Sequence, residues 1–204
     1  MTLYDHPDCP YGMKVRIVLA EKDMDCEVVT IDVQSGQHRQ PEFLKLNPFG
    51  RVPVLVDEGC VIYDSTIINE YLDDEYPEPA LRPGGSDERA RVRLLEDYAD
   101  TAFTLPAMAL QNELAKPAGT RDESRVKAAR DVVVKTLEML NRELEGKEYL
   151  GGDAFSLADV AFAPMALQLE KLGVNLDNTL KNVKAWTQRL ASRPSVAKVP
   201  RLVA

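Results

Sequence analysis

The residues best suited to chemistry in this 204-residue sequence lie in the stretch CPYG at positions 9–12. Apolar residues recur at helical spacing after Pro10, and proline suits the first turn of a helix, so the pattern places Cys9 at a helix start. Unpaired backbone N–H groups and the positive end of the helix dipole favour a thiolate there. Two cations, Lys14 and Arg16, follow on the same predicted helix. The sequence therefore predicts a nucleophilic thiol at Cys9.

The other cysteines do not supply Cys9 with a partner. A C-x-x-C pair would have its second thiol at the fourth position, where this chain has Gly12. If Cys9 does redox chemistry, the resolving thiol must come from another molecule. Cys26 and Cys60 lie inside apolar strand patterns, which predicts buried, structural thiols. Three cysteines in a chain of this size do not indicate a disulfide framework, and they favour a cytoplasmic protein with reduced thiols.

The elements that must position Cys9 follow the order β-α-β-α-β-β-α. The predicted strands cover residues 2–4, 26–31, 52–56 and 60–63, and the predicted helices cover 10–22, 41–46 and a segment after Asp64-Ser65. This order is typical of an α/β domain whose mixed sheet is covered by helices. We assign this domain to residues 1–78.

The remainder of the chain predicts a separate, all-helical domain. Residues 77–86 read PEPALRPGGS, and their prolines and glycines indicate a linker at 79–86. Residues 87–204 carry only helical patterns, beginning with a helix to about Leu114 that is kinked at Pro106. Ser156 and Asp159 have the S-x-x-D spacing of a helix N-cap pair. The predicted fold class is α/β plus all-α.

The formal charge of −8 is divided unevenly along the chain. Residues 1–78 hold six Lys and Arg against 16 Asp and Glu, whereas the rest hold 19 against 17. Nucleic-acid binding needs clustered Lys and Arg, so this acidic chain is a poor candidate for it. No apolar run approaches the roughly 18 residues of a membrane span, so we expect no membrane segment.

Several motifs, in order along nearly the whole chain, resemble those of the glutathione transferase superfamily. Leu3-Tyr4, the CPY stretch at 9–11 and KVR at 14–16 are similar to its opening strand, active-site loop and first helix. NPFGRVPVL at 47–55 resembles the segment before its third strand, and YDS at 63–65 resembles the next signature. FSLAD at 155–159 is similar to its buried capping element.

The resemblance implies an N-terminal thioredoxin-like domain, a C-terminal helical bundle domain, a homodimer, and glutathione as cosubstrate with no metal. It implies that Cys9 is catalytic and that glutathione is bound by Tyr11, Gln40, Arg51, Val52, Pro53, Asp64 and Ser65. A cis bond before Pro53 would leave the Val52 backbone free to pair with the cysteinyl amide of glutathione. Phe103, Met108 and Asn112 are candidates for a substrate pocket, and core or dimer roles suit them equally.

By the same resemblance, a cysteine in this place shifts the chemistry from conjugation towards glutathione-dependent reduction. Cys9 would form a mixed disulfide with glutathione, which a second glutathione resolves. Conjugation stays open as an activity, and so does activation of glutathione by a tyrosine, for which Tyr11 is better placed than Tyr4. His6 is close enough in sequence to act as a base, although a loop or packing role is the simpler reading.

A second resemblance, to stringent starvation protein A, implies a different function. VRIVLAEK at 15–22 and EYLDDEYP at 70–77 are similar to that protein, a non-enzymatic, RNA-polymerase-associated regulator of the same fold. Its partner surface uses Pro-His-Pro, where this chain has Pro77-Glu78-Pro79, and it lacks a cysteine-type active site. Both differences favour the enzyme.

Overall fold

The computed structural model describes residues 1–199, which divide into two units. The first unit holds residues 1–80 together with residues 194–199, and the second holds Leu81–Arg193. The domain limits of 1–78, 79–86 and 87–204 remain predictions of domain organisation. The first unit confirms the α/β fold and the second confirms the helical fold.

The first unit is built on a four-stranded mixed sheet in the order β2-β1-β3-β4. Its strands are β1 (Thr2–Asp5), β2 (Glu27–Thr30), β3 (Val54–Asp57) and β4 (Cys60–Tyr63). β1 pairs in parallel with β2 and antiparallel with β3, and β3 pairs antiparallel with β4. Its helices are α1 (Pro10–Glu21), α2 (Pro41–Leu44) and α3 (Ser65–Glu75), and a short 3₁₀ turn covers Gln37–Arg39.

The two faces of the sheet have separate apolar layers, because successive residues of a strand point to opposite sides. Tyr4 lies on the face where Ile31, Phe43 and Val54 form a cluster. Leu3 lies on the other face, and so does Asp5, the last residue of β1. This alternation directs the end of β1 towards α1.

Strand β3 begins two residues later than the sequence pattern predicts, at Val54 rather than Val52. Pro53 explains the difference, since a proline has no N–H to donate to a sheet ladder. The Val52–Pro53 bond is cis, as the family resemblance implied.

The second unit consists of helices joined by turns. Its helices are α4 (Ser86–Tyr98), α5 (Leu105–Leu114), α6 (Glu123–Glu143), α7 (Leu157–Ala166) and α8 (Lys181–Ser192), and α9 (Pro194–Lys198) returns to the first unit and packs on α1. The N-cap pair is confirmed, because Ser156 and Asp159 form a capping box at the start of α7.

The predicted kink at Pro106 is replaced by a π-helical segment, Ala99–Thr104, that ends just before α5. Pro106 cannot donate to the carbonyl of Ala102, four residues earlier in the chain. The Thr136 hydroxyl donates to that carbonyl at 3.1 Å. A side chain of α6 thus supplies the hydrogen bond that the proline removes.

Candidate functional site

Cys9 occupies the N-cap position of α1, as the sequence predicts. Its backbone N–H donates to the His6 carbonyl at 2.9 Å, which closes the turn between β1 and α1. Its half-buried thiol donates to the Val52 carbonyl at 3.8 Å, a long hydrogen bond even for a sulfur donor. The fold therefore brings Cys9 next to Val52 and the cis bond to Pro53, residues more than forty positions away in sequence.

The expectation that the helix start makes Cys9 a thiolate is wrong for this structure. Burial raises the pKa of the Cys9 thiol to about 11, and the nearby Asp5 carboxylate contributes to the rise. The backbone N–H groups of Gly12 and Tyr11 and the cation of Arg16 oppose this effect without overcoming it. Desolvation outweighs the helix end because the sulfur is far less exposed than its turn-rich sequence suggests.

Asp5 is the neighbour of Cys9 that sequence reasoning missed. It is 2% exposed, and burial raises the pKa of its carboxyl to about 6 against the opposing charge of Arg16. The Arg16 Nε lies 3.1 Å from the Asp5 Oδ2. A Cβ added at Gly12 would overlap the Asp5 carboxylate, so the first turn of α1 needs glycine there. That glycine was the sequence signal that could have revealed the contact.

A cleft of about 600 Å³ adjoins this corner of the first unit. It is lined by Tyr11, Val33, His38, Arg39, Leu44, Pro48, Phe49, Gly50, Arg51 and Val52. Three predicted binding residues, Tyr11, Arg51 and Val52, are thus brought together. The sequence analysis missed His38 and Arg39, which add a second guanidinium and an imidazole to the same cleft.

Gln40 lies outside this cleft, although the sequence analysis grouped it with the binding residues. It lines a second cavity of about 590 Å³ together with Tyr4, Phe43 and Leu46. The turn before α2 decides the difference, because its 3₁₀ geometry puts His38 and Arg39 on one side and Gln40 at the helix start.

Asp64 and Ser65 begin α3, where a structural role is visible. The Asp64 carboxylate caps the helix by accepting from Thr66 N at 2.9 Å and from Ile67 N at 3.4 Å. Asp64 is exposed and has a positive φ of 77°, whereas Ser65 is buried. Neither residue lines the 600 Å³ cleft.

The three candidates for a substrate pocket differ in exposure. Phe103 is 0% exposed and packs on Phe162 with ring centroids 5.4 Å apart, so it belongs to the core of the second unit. Met108 is half-buried and Asn112 is exposed on α5. The inward side of the π-helical segment carries Phe103 into the core, which the sequence pattern alone could not distinguish from a pocket wall.

The other residues that the sequence analysis considered for chemistry, His6 and Tyr4 among them, have structural contacts. His6 accepts a hydrogen bond from Asp8 N at its Nδ1, 3.2 Å away, which gives that ring nitrogen a role in the loop. Tyr4 packs against the apolar cluster of the sheet. The prediction that Cys26 and Cys60 are buried is wrong, since Cys26 is half-buried and Cys60 is exposed. Cys60 lies on β4, most of whose residues are exposed in the described part of the chain.

Among the described residues, no group of three or more His, Cys, Asp or Glu side chains is arranged to hold a metal ion. Within the same residues, every helix is too short or too polar to cross a membrane.

Comparison with known proteins follows the same division of the chain. Residues 3–80 match the family model for the glutathione S-transferase N-terminal domain, and residues 98–194 match the model for the C-terminal domain. These matches agree with the α/β unit that carries Cys9 and with the helical unit after it. The chain belongs to the glutathione S-transferase family.

Individual relatives extend over nearly all of the chain. It is 32% identical to glutathione S-transferase 3 of Zea mays, covering 97% of this chain and 92% of the relative. It is 34% identical to a stringent starvation protein A homolog of Coxiella burnetii, covering 86% and 79%. The solved glutathione transferase URE2P6 of Phanerochaete chrysosporium, in complex with oxidized glutathione, superposes with a TM-score of 0.87 at 27% identity, covering 97% and 93%.

Proposed function

We propose that the protein binds glutathione and catalyses glutathione-dependent thiol transfer through Cys9. The observation that carries the proposal is the contact of the Cys9 thiol with the Val52 carbonyl, beside a cleft that contains Arg39 and Arg51. A thiol, the backbone of Val52 at the wall of a cleft and two guanidinium groups suit the binding of a small anionic thiol or disulfide. The structure of a relative with oxidized glutathione supports this choice of ligand.

The proposed reaction has two exchange steps. The Cys9 thiol loses its proton, and the thiolate attacks the glutathionyl sulfur of a mixed disulfide; a new S–S bond forms as the old one breaks, and the released substrate sulfur takes up a proton. A glutathione thiolate then attacks the Cys9–glutathione disulfide, which releases glutathione disulfide and restores Cys9. The substrate disulfide is reduced, and two glutathione sulfurs end in one disulfide.

Each proposed binding residue has a distinct task. Arg39 and Arg51 would pair with the carboxylates of glutathione, and the Val52 backbone beside Pro53 would pair with its cysteinyl amide. Tyr11 would form part of the wall next to the sulfur. Asp64 and Ser65, at the start of α3, stay in the proposal for the γ-glutamyl end, as the family resemblance implies. Gln40 stays in it as a glutathione-binding residue with no end of the ligand assigned.

The activity is tested by glutathione-dependent reduction of a glutathionylated peptide. Cys9→Ser removes the nucleophile, so we expect the rate to fall by roughly 100-fold or more, because a covalent nucleophile contributes at least as much as a general acid or base. Cys60→Ser is the matched control, since it removes an exposed thiol of β4, and we expect it to keep the wild-type rate. Full activity in Cys9→Ser would sink the proposed mechanism.

Two properties accompany this proposal. We propose a homodimer, supported by the family resemblance and by Phe49, which is 69% exposed and contacts Tyr63 edge-on with ring centroids 5.9 Å apart. Light scattering should then give twice the monomer mass, and a monomer at all concentrations would refute it.

We also propose a cytoplasmic location, which suits three free cysteines.

A second function is favoured by the Coxiella burnetii relative, which is a stringent starvation protein A homolog. A regulator of this kind would use the segment from Pro77 to Pro79. The bond before Pro79 is cis, and the Pro79 carbonyl accepts a hydrogen bond from Lys22 Nζ at 2.8 Å. Retention of the protein on immobilised glutathione supports the enzyme. Co-purification with RNA polymerase and no retention on glutathione would favour the regulator.

A further inference from the structure

A buried carboxylate, that of Asp5, lies against the first turn of α1, the helix that Cys9 caps, and it has no part in the two exchange steps. Asp5 ends β1 on the face of the sheet that is opposite the Tyr4 side chain. It is 2% exposed, and its Oδ1 has no hydrogen-bond partner within residues 1–199. A buried carboxylate oxygen without a donor is costly, so this arrangement does not favour stability.

The glycine at position 12 lets this carboxylate reach the first turn of α1. Any Cβ at Gly12 would overlap the Asp5 carboxylate, which must therefore lie against the helix backbone. The backbone N–H groups of Tyr11 and Gly12 in the same turn are directed at the Cys9 sulfur. The carboxylate and the sulfur thus both border the first turn of α1.

Arg16, one turn further along α1, holds the carboxylate in this place. Its Nε lies 3.1 Å from the Asp5 Oδ2, and its Nη2 donates to the Pro7 carbonyl at 2.8 Å. One guanidinium therefore contacts both the end of β1 and the loop that leads to Cys9. The negative charge of Asp5 is fixed relative to the sulfur rather than free to turn away.

We propose that Asp5 is a positioning residue for Cys9 chemistry: its fixed negative charge adds to burial in keeping the resting Cys9 protonated and so raises the pH at which the sulfur becomes a nucleophile. A thiolate at Cys9 would be a second negative charge in one buried turn, and two like charges repel each other more strongly away from water. The role in catalysis rests on the proposed function, whereas the control of Cys9 protonation does not.

The groups around Asp5 are few in the described chain. Those that carry or acquire charge are His6 in the loop, Arg16 of α1 and Cys9 at its start. The neighbouring strand β2 places Thr30, which does not titrate, opposite Asp5. Burial raises the pKa of Asp5 to about 6, which is still below neutral pH. The carboxylate is therefore ionised at pH 7, and its charge opposes loss of the thiol proton there.

The test is the pH dependence of Cys9 alkylation by iodoacetamide, with Cys26→Ser and Cys60→Ser introduced so that Cys9 is the only thiol. Asp5→Asn keeps the shape and removes the charge, so we expect alkylation at pH 7.5 to be about tenfold faster or more, with the rate profile moved to lower pH. Asp8→Asn is the matched control, because it removes an exposed carboxylate next to Cys9 in sequence. We expect its rate to stay within about twofold of the parent.

A second variant changes the rate in the opposite direction. Arg16→Gln removes the cation that favours the Cys9 thiolate, so alkylation should slow and its profile should move to higher pH. Circular dichroism establishes whether each variant is folded. If one of the two variants does not fold, the alkylation rate of the other decides the test. An unchanged or slower rate in folded Asp5→Asn, or an unchanged or faster rate in folded Arg16→Gln, would overturn the proposal.

These measurements use no glutathione, so they separate this inference from the proposed function. If Cys9→Ser keeps its glutathione-dependent activity, the proposed enzyme mechanism fails while the alkylation result still decides the role of Asp5. If alkylation does not respond to Asp5→Asn while Cys9→Ser is inactive, the mechanism stands and the role of Asp5 fails.

Discussion

Two buried aspartates, one in each unit of the chain, are held in different ways. Asp159, at the start of α7, accepts from Leu150 N at 2.9 Å, Ser156 N at 3.0 Å, Ser156 Oγ at 2.9 Å and Trp186 Nε1 at 2.8 Å. At Asp5 the Arg16 cation and the His6 backbone N–H favour the charged carboxylate, while its Oδ1 has no hydrogen-bond partner in the described residues. Burial raises the pKa of both carboxyls, but only Asp159 has a full set of donors to oppose it.

The difference teaches how to separate a structural carboxylate from a chemical one. Four donors from three segments converge on Asp159, so this side chain joins the start of α7 to α8 and to the turn at Leu150. A buried group with all its hydrogen bonds made stabilises a single arrangement. The incomplete surroundings of Asp5, next to the Cys9 sulfur, leave its charge free to act on that sulfur.

The largest expected effect is the loss of Asp159. Asp159→Ala leaves four buried donors without an acceptor, and each costs about 1–3 kcal/mol, so we expect the free energy of unfolding to fall by on the order of 4 kcal/mol or more. Urea unfolding followed by Trp186, the single tryptophan, measures it. The exposed Asp153→Ala is the control and should change stability by less than about 0.5 kcal/mol. Equal stability of the two variants would contradict the structural role.

The next effect is the pH dependence that Asp5 gives to stability. Its folded pKa of about 6 exceeds the ordinary 3.8, so the native state binds this proton more tightly and the stability it contributes is lost as pH rises through that interval. The difference in free energy of unfolding between wild type and Asp5→Asn should therefore shift by about 3 kcal/mol from pH 3.5 to pH 7. Denaturant titrations at both pH values measure this shift. If the difference in free energy of unfolding between wild type and Asp5→Asn did not vary with pH, the folded and unfolded states would bind the Asp5 proton equally well, which contradicts the prediction.

A smaller effect is expected from the contact of Gly12 with Asp5. Gly12→Ala forces a methyl group into the carboxylate, and we expect a loss of about 1–3 kcal/mol in the free energy of unfolding. In an Asp5→Ala background the methyl group has room, so the same change should cost much less. This double-mutant cycle measures the contact itself. Additive losses would mean that the carboxylate does not lie against the helix turn.

The smallest effect concerns one of the four donors to Asp159. Ser156→Ala removes the hydroxyl that donates at 2.9 Å and leaves the other three hydrogen bonds, so we expect a loss of about 1 kcal/mol. The same urea titration gives the value. A loss as large as that of Asp159→Ala would mean that the network depends on this one side chain rather than on the carboxylate.

The comparison also shows which parts of the molecule could be predicted from sequence. Ser156 and Asp159 were recognisable because a capping box is local, with its two residues three positions apart. The state of Cys9 was not predictable, because its burial and the nearby charge of Asp5 arise only when β1, the loop and α1 come together. The helix start was read correctly, and the desolvation that outweighs it was invisible in sequence.

The residues of the cleft divide in the same way. The order of strands and helices followed from periodicity, and the family resemblance pointed to Arg51 and Val52, which line the cleft. Which side chains of a short turn face a cleft depends on backbone geometry, so the sequence did not reveal that Arg39 lines this cleft and that Gln40 lines another. The net charge of the first 78 residues is equally uninformative about the cleft, since its two arginines are a local exception to an acidic domain.

The central claim, that Cys9 exchanges disulfides with glutathione, is tested most directly by intact-mass analysis and peptide mapping after incubation with oxidized glutathione. We predict a glutathionyl adduct at Cys9 that forms faster as pH rises towards the raised pKa of the thiol and that is removed by reduced glutathione. A folded protein that gains no adduct at Cys9, or gains adducts only at Cys26 and Cys60, would contradict the account.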